Sequence, residues 1–427
     1  MRSRSRHSNP AAEGPGTSKG ALAILPVLML AVFAVALGFG VLLPQLPTIV
    51  ERLLGAAATP TQIGRTTGWM TALYMLALFF FATVWGGLSD RIGRRVILVI
   101  GLSGFGLTII ASSLFESIAA LYLERALSGL FAAAVTPVAL AAVTDLSADR
   151  PVLGRRLALV SIAGTSGLLL GPPVGAVLAW LQPAGQSSPG PLAVPLLATG
   201  LLALVAAAMV AAVVPPGTRH RSATEAAPGA RTPQGWLVAG MLGLGLLVSA
   251  AVSAFEVGLS LRGGMELDVT SWQIATMFTV CSLTMVVVQA VVFSPLVRPE
   301  TTRWLIAPGF GVLAAGLYAL PLAGTFLASL LAIGAVAVSA GALAPILTYW
   351  IAILSGPRSG AALGRQTSAA SLGAALGAAG GGLLHGVTWL PDAGFVLVAA
   401  AAVLAVLPSL RLPDMLASRA PVPAPPA

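Results

Sequence analysis

The ten residues GGLSDRIGRR, Gly86–Arg95, join two apolar stretches of the chain and decide how the rest of it is read. The flanking stretches, 66–88 and 96–115, are each long enough to cross a bilayer core, which needs about 20 apolar residues per helix. The segment between them holds one acid, Asp90, and three arginines, while Gly93 permits a tight turn. It therefore predicts a short polar loop on the side of a membrane where arginines meet anionic headgroups.

The composition of the whole chain is that of an integral membrane protein. Of its 427 residues, 57% are hydrophobic and only 9% are charged, against about 25% charged residues in an average soluble domain. The mean hydropathy is +0.93. A soluble globule of this size could not cover its surface with so little charge, so these values argue against a cytosolic enzyme.

Outward from the loop, the same length criterion predicts an all-α integral membrane fold with twelve transmembrane helices in two six-helix halves. The predicted spans are 21–43, 66–88, 96–115, 117–143, 156–181, 191–214, 235–261, 272–293, 304–321, 326–350, 362–388 and 393–410. The predicted organisation is a disordered cytoplasmic tail (1–20), an N-terminal half (21–214), a Pro/Gly-rich cytoplasmic linker (215–234), a C-terminal half (235–410) and a second disordered cytoplasmic tail (411–427).

The distribution of Lys and Arg predicts the orientation. Nineteen of the 23 basic residues lie in links and tails that share one side, whereas Arg52, Arg65 and Arg262 lie on the other. Because cytoplasmic loops are enriched in Lys and Arg, both termini are predicted to be cytoplasmic, in a multi-pass protein of the plasma membrane. The basic residues form no patch interleaved with aromatics, so no nucleic-acid partner is expected.

The sequence carries none of the common signatures of catalysis. It has no GxxxxGK[ST] phosphate-binding motif, no HExxH pair and a single cysteine, Cys281. We therefore expect no enzyme activity, no ATP-driven step, no metal and no cofactor. The partners expected are a small-molecule substrate, protons and the lipid bilayer. The oligomeric state stays open, with a monomer favoured.

The loop resembles the loop motif of the major facilitator superfamily, in which a glycine is followed after three residues by Asp-Arg, one residue, a glycine and a basic pair. The matching residues are Gly86, Asp90, Arg91, Gly93, Arg94 and Arg95. In that family the loop latches the inner side of the two halves in the outward-facing state, so the resemblance implies that these residues form a conformational gate. The corresponding segment 294–304 lacks the Asp-Arg-x-Gly core, and an asymmetric latch is expected.

The fifth predicted span resembles the antiporter motif on the fifth helix of the family's drug exporters. The residues that match are Gly167, Gly171, Pro172 and Gly175; Ala176 departs from the pattern, in which a further glycine would follow. Small residues at this spacing also allow any two membrane helices to pack closely, which is the alternative interpretation. The glycines recur 206 residues later as Gly373, Gly377 and Gly381, which favours a duplicated bundle of the kind found in secondary transporters.

Three charged residues lie within predicted spans: Glu124, Arg125 and Glu256. An arginine at the membrane centre costs about 2.5–3.5 kcal/mol, so Arg125 must face water or a partner, and the family resemblance implies a role in proton coupling. Glu124 is rotated about 100° around the helix from Arg125, which predicts that the two side chains point apart. Glu256 is expected to carry the proton, with Glu124 next; the alternative for Glu256 is a glutamate that reaches the outer headgroups. Asp145 is expected to be an interfacial charge.

These features predict a proton-coupled exporter of small apolar or cationic drug-like compounds that works by alternating access, similar to the family's twelve-span drug:proton antiporters. By analogy with the family, the candidate pocket residues are Phe33, Gln45, Phe131, Phe255 and Trp350. One alternative is an exporter of a sugar, a siderophore or another endogenous metabolite on the same fold. Another is a non-transporting membrane receptor or sensor, although an inert bundle would have no reason to retain costly charges.

Overall fold

The computed structural model is built of α-helices, and the residues that it describes contain no β-strand. The described residues are 16–42, 46–55, 57–112, 117–147, 150–180, 193–216, 235–265, 271–292, 294, 297–355, 359–383 and 393–417. The helices are α1 (Gly16–Leu42), α2 (Leu46–Leu54), α3 (Pro60–Ile92), α4 (Arg94–Ser112), α5 (Ile118–Ala132), α6 (Val135–Asp145), α7 (Arg150–Trp180), α8 (Ala193–Val213), α9 (Gly235–Met265), α10 (Ser271–Val292), α11 (Ile306–Leu322), α12 (Phe326–Ser355), α13 (Ser359–Leu383), α14 (Ala393–Ser409) and α15 (Leu412–Ala417). A 3-10 helix, Pro299–Leu305, precedes α11.

Within the described part of the chain, nine helical stretches are long and apolar enough to cross a membrane, and Thr279–Val292 and Gly394–Ser409 form shorter apolar helices. A bilayer core offers no water to bond backbone N–H and C=O groups, so an apolar chain satisfies them within helices. Large aliphatic side chains also lie on the outer surface, among them Leu322 at 70% exposure and Leu331 at 69%. The chain is therefore a multi-pass membrane protein.

Several helices extend beyond the apolar runs that predicted them, because polar residues cap their ends. α3 begins at Pro60, six residues before the predicted span, where the Oγ of Thr59 accepts the Gln62 N–H (3.3 Å) and the Gln62 amide oxygen accepts the Thr59 N–H (2.9 Å). This reciprocal capping box satisfies two backbone donors that the helix itself cannot bond. α3 ends at Ile92, and the next residue, Gly93, has a φ of +109°, which is strained for any residue with a side chain.

The fourth predicted span is two helices. α5 ends at Ala132 and α6 begins at Val135, and between them the Ala134 N–H bonds to the Phe131 carbonyl (3.1 Å) in a tighter turn. Pro137 explains the position of the break, because proline lacks an N–H and its ring clashes with the carbonyl four residues before it, that of Ala133.

The two predicted disordered tails are partly helical. α1 begins at Gly16, inside the predicted N-terminal tail, and α15 lies inside the predicted C-terminal tail. Leu412 and Leu416 of α15 are buried, so apolar packing accounts for the order of this segment. Most of the predicted linker 215–234 lies outside the described residues.

The same pattern of helix neighbours occurs twice along the chain. α1 packs on α7 and α4 packs on α8; α9 packs on α13 and α11 packs on α14. The first set of helices meets the second where α3 contacts α13 and where α7 contacts α10, and α6 also contacts α13.

Candidate functional site

The loop between α3 and α4 is organised around a buried arginine. Arg94 forms an ion pair with Asp90 and donates from Nε to Oδ2 of Asp145 at the end of α6 (2.9 Å). It also donates from Nη1 to the Oγ of Ser89 (2.6 Å), whose hydroxyl in turn donates to the Gly86 carbonyl (2.7 Å). The guanidinium is thus held by groups from α3 and α6, and a buried charge of this kind needs such pairing.

The other residues of the predicted gate occupy the edge of this network. Gly86 is buried, Gly93 makes the turn, Arg95 is half-buried and Arg91 is exposed. The sequence analysis predicted that Asp145 is an interfacial charge, and its bond to Arg94 was missed. The sequence does indicate such a bond, because the loop has three arginines but only one acid, so a second arginine must find its carboxylate elsewhere.

Asp90 also connects the loop to the second set of helices. Its Oδ2 accepts the backbone N–H of Ala361 in the first turn of α13 (3.0 Å). Helix N-termini favour negative charge, because their first N–H groups lack partners within the helix. Further along the same pair of helices, the hydroxyls of Thr83 and Ser368 are hydrogen-bonded (3.0 Å).

Close backbone contact accompanies these bonds between α3 and α13. A Cβ added at Gly364 would overlap the carbonyl oxygen of Ala82. On the other side of the bundle, the Gln289 amide of α10 donates to the Thr165 hydroxyl of α7 (3.2 Å). Hydrogen bonds therefore join the two sets of helices along both of these helix pairs. The end of the bundle that carries Gly93 is called the loop end below.

Glu124 and Arg125 form a buried ion pair on α5. Arg125 donates from Nε to Oε2 of Glu124 (2.6 Å) and from Nη2 to Oε1 (2.5 Å), and both residues are at most 3% exposed. The expectation that the two side chains point apart was wrong. A rotation of about 100° separates the two Cβ directions, but both side chains are long enough to bend together. In an apolar bundle, the free energy of pairing two charges outweighs the cost of that bend.

An aromatic pair adjoins this ion pair. The Arg125 guanidinium lies 5.6 Å from the ring centroid of Tyr74 on α3, a cation–π distance, and Tyr74 stacks on Phe39 of α1 at 4.9 Å. Helices α1, α3 and α5 thus contribute to one cluster of charged and aromatic side chains. Tyr74 and Phe39 were not among the residues predicted for a site. Tyr74 has no charge and lies in no motif that would have identified it.

Glu256 lies on α9 and its side chain is exposed, whereas its neighbour Phe255 is fully buried. Arg125 takes Glu124 as its carboxylate partner in this structure. The proposed role of Glu256 in proton transfer stays a prediction.

The glycines of the fifth predicted span form the face of α7 that packs on α1. A Cβ at Gly167 would lie 2.6 Å from the Phe33 carbonyl oxygen, and one at Gly171 would lie 2.5 Å from the Cα of Gly40. Gly175 continues the same face at 3.2 Å from Val41. α7 runs through Pro172 without interruption. The glycines that recur on α13 make equally close helix contacts, because a Cβ at Gly373 or Gly377 would overlap the backbone of α9.

We expect Gly171→Ala to lower the free energy of unfolding by about 1–3 kcal/mol, the usual cost of overpacking. The added methyl group must separate α7 from α1. Gly240→Ala on α9 is a matched control, since its Cβ would meet nothing within 4 Å. Thermal unfolding of both purified variants checks this; equal stability would mean that α1 and α7 do not pack this closely.

The predicted pocket residues that the structure describes lie on four helices, α1, α5, α9 and α12. Phe131 packs against Gly101 and Gly104 of α4, where a Cβ at Gly104 would overlap its ring. Trp350 is 1% exposed, and its indole N–H donates to the Thr302 hydroxyl (3.2 Å). Phe33 is half-buried beside Gly167, and Gln45 lies outside the described residues. A shared pocket for these residues stays a prediction.

Comparison with known proteins places the chain among transporters. Residues 28–321 match the model of a protein family described as Major Facilitator Superfamily. "Multidrug resistance protein 1" of Bacillus subtilis (strain 168) is 24% identical over 369 residues, which cover 85% of this chain and 90% of that protein. The human organic anion transporter MFSD10 (TETRAN) has a similar structure, with a TM-score of 0.77, 18% identity, and coverage of 91% of this chain and 99% of that one. The proton:xylose symporter XylE is also similar, with a TM-score of 0.71, 15% identity, and coverage of 94% and 100%.

Proposed function

The chain belongs to the Major Facilitator Superfamily, and on that premise we propose that it exports small apolar or cationic compounds in exchange for protons. Substrate would leave as protons enter, through alternating access to a central site. A relative that covers most of the chain is named for multidrug resistance, which supports this substrate class.

We further propose twelve membrane spans in two halves of six, with both termini in the cytoplasm of a plasma membrane protein. The repeated set of helix neighbours supports the two halves, and the unequal distribution of Lys and Arg supports the orientation. In that orientation the loop end is the cytoplasmic end. The bonds from Asp90 to α13 and from Gln289 to α7 then hold the cytoplasmic side closed, as an outward-facing state requires.

The observation that carries the exporter proposal is the glycine face of α7 packed on α1. The face contains the glycines that resemble the antiporter motif of drug exporters, and a Cβ at Gly167 or Gly171 would overlap the backbone of α1. The buried pair of Glu124 and Arg125 supports active transport over a receptor or sensor, because an apolar bundle gains nothing in stability from such a pair.

The polar side chains support an apolar substrate over a sugar. A polyol site needs several amides or carboxylates that can bond hydroxyl groups. The described spans hold few amides, Gln289 and Gln366 among them.

The direct test is dye efflux. Cells that express the protein should accumulate less of a cationic dye such as ethidium than cells that express the Arg125→Leu variant, which loses the buried pair. An uncoupler that collapses the proton gradient should remove the difference. Efflux that survives the uncoupler would contradict proton coupling, and equal accumulation across a panel of cationic and neutral compounds would contradict drug export.

A further inference from the structure

Trp85 makes a hydrogen bond that the transport site and the latch do not account for. It lies on α3, five residues before Asp90, and its indole N–H donates to the carbonyl oxygen of Leu130 on α5 (2.8 Å). Indole N–H groups usually find a partner when they are buried in a membrane protein. The choice of a backbone carbonyl of another helix is unusual, since such carbonyls are normally bonded within the helix.

The Leu130 carbonyl is available because of the break between α5 and α6. In a continuous helix it would accept the N–H of Ala134, which bonds instead to Phe131 (3.1 Å). Trp85 therefore replaces the helical bond that is lost at the break. A carbonyl between membrane helices that lacks a partner would be costly, so the Trp85 bond offsets the loss at the break.

The two sides of this break carry different functional groups. α5 carries the buried pair of Glu124 and Arg125. α6 ends at Asp145, which binds Arg94 of the latch, and α6 also packs against α13, whose first turn binds Asp90. Any change in the angle between α5 and α6 must therefore change the positions of latch residues relative to the ion pair.

We propose that Trp85 is a positioning residue that sets the angle of the α5–α6 break and so couples the buried Glu124–Arg125 pair to the latch at the loop end. The hydrogen bond fixes the break to α3, the helix that also carries Asp90. The link from Trp85 to transport rests on the proposed function. The effect of Trp85 on closure of the latch does not, because closure can be measured without transport.

The second set of helices also contains a tryptophan hydrogen bond, but the helix that carries it is not broken. Trp350 of α12 donates to Thr302 in the 3-10 helix, which occupies the place that the Gly86–Arg95 loop has in the first set. α12 contains Pro345 and is nevertheless continuous from Phe326 to Ser355. The two bonds therefore differ, because Trp350 bonds a side-chain hydroxyl and Trp85 a backbone carbonyl at a helix break.

The test measures closure of the loop end directly. Spin labels at positions 92 and 365, both exposed on α3 and α13, report the separation of those helices in a Cys281→Ala background. Trp85→Phe keeps an aromatic ring and removes the N–H. We expect it to lower the ratio of closed to open molecules by about three- to tenfold, the range set by the net free energy of one hydrogen bond. Binding of ethidium to the purified protein should stay within about twofold of the parent.

Two further variants make the outcome specific. Trp69→Phe removes an indole from the same helix at a site that is 59% exposed, and it should match the parent. Pro137→Ala restores an N–H to the helix and should shift closure in the same direction as Trp85→Phe. If both act on one break, the double variant should show less than the sum of the two effects.

The proposal is overturned if Trp85→Phe has the same ratio of closed to open molecules as the parent. It is also overturned if the effects of Trp85→Phe and Pro137→Ala are strictly additive in the double variant. If Trp85→Phe does not fold, Pro137→Ala decides alone, and unchanged closure in that variant overturns the proposal. Failure of the proposed function shows itself differently, as an absence of gradient-driven efflux in the parent, and leaves the distance measurement valid.

Discussion

Replacing Asp90 by asparagine is expected to reduce transport by about tenfold while leaving the amount of protein in the membrane unchanged. Asp90 makes an ion pair with Arg94 and accepts the Ala361 N–H across the bundle. A hydrogen bond to a charged group contributes about 1.5–3 kcal/mol, and 1.4 kcal/mol is a tenfold change in an equilibrium constant. Asparagine retains an oxygen that accepts a weaker bond, so the loss lies near the lower end of that range.

The fold should survive this change because Arg94 retains Asp145 as a carboxylate partner. Asp414→Asn is the matched control, since it removes an exposed carboxylate of α15 and should transport like the parent. Initial rates of dye efflux, normalised to the protein in the membrane, check both variants. Parent-like transport by Asp90→Asn would rule out the latch, and its absence from the membrane would assign Asp90 to folding instead.

The sequence predicts the helices and the loop well, because both depend on neighbouring residues. Apolar length locates a helix that must satisfy its own backbone, and the Gly86–Arg95 motif lies within ten consecutive residues. The break between α5 and α6 was predictable from Pro137 alone and was overlooked, because the apolar run continues through it.

The partners of the charged residues are harder to predict because they depend on how helices pack. Arg94 and Asp145 are 51 residues apart, and Trp85 and Leu130 are 45 apart. Neither contact has a local pattern. Glu124 and Arg125 are adjacent, yet a rule based on Cβ directions separated them, since it ignores the reach of long side chains.

The two acids of the predicted proton pathway differ in their surroundings. Both oxygens of Glu124 accept bonds from Arg125, and both of these residues are buried. Glu256 has an exposed side chain on α9. We therefore expect Glu256 to carry the proton.

Glu256→Gln, which mimics a permanently protonated side chain, should abolish the response to a proton gradient. In reconstituted vesicles we expect gradient-driven uptake of ethidium to fall by about tenfold or more, to the rate measured without a gradient. Exchange of labelled for unlabelled substrate at equal pH should continue, because it requires no net movement of protons. Glu124→Gln is the comparison: it keeps one oxygen that can accept a bond from Arg125 but removes the negative charge, and loss of one charge of a buried pair costs about 3–5 kcal/mol. It should therefore lower thermal stability and reduce both gradient-driven uptake and exchange. Gradient-driven uptake by Glu256→Gln equal to the parent's would place the coupling acid elsewhere, with Glu124 the next candidate.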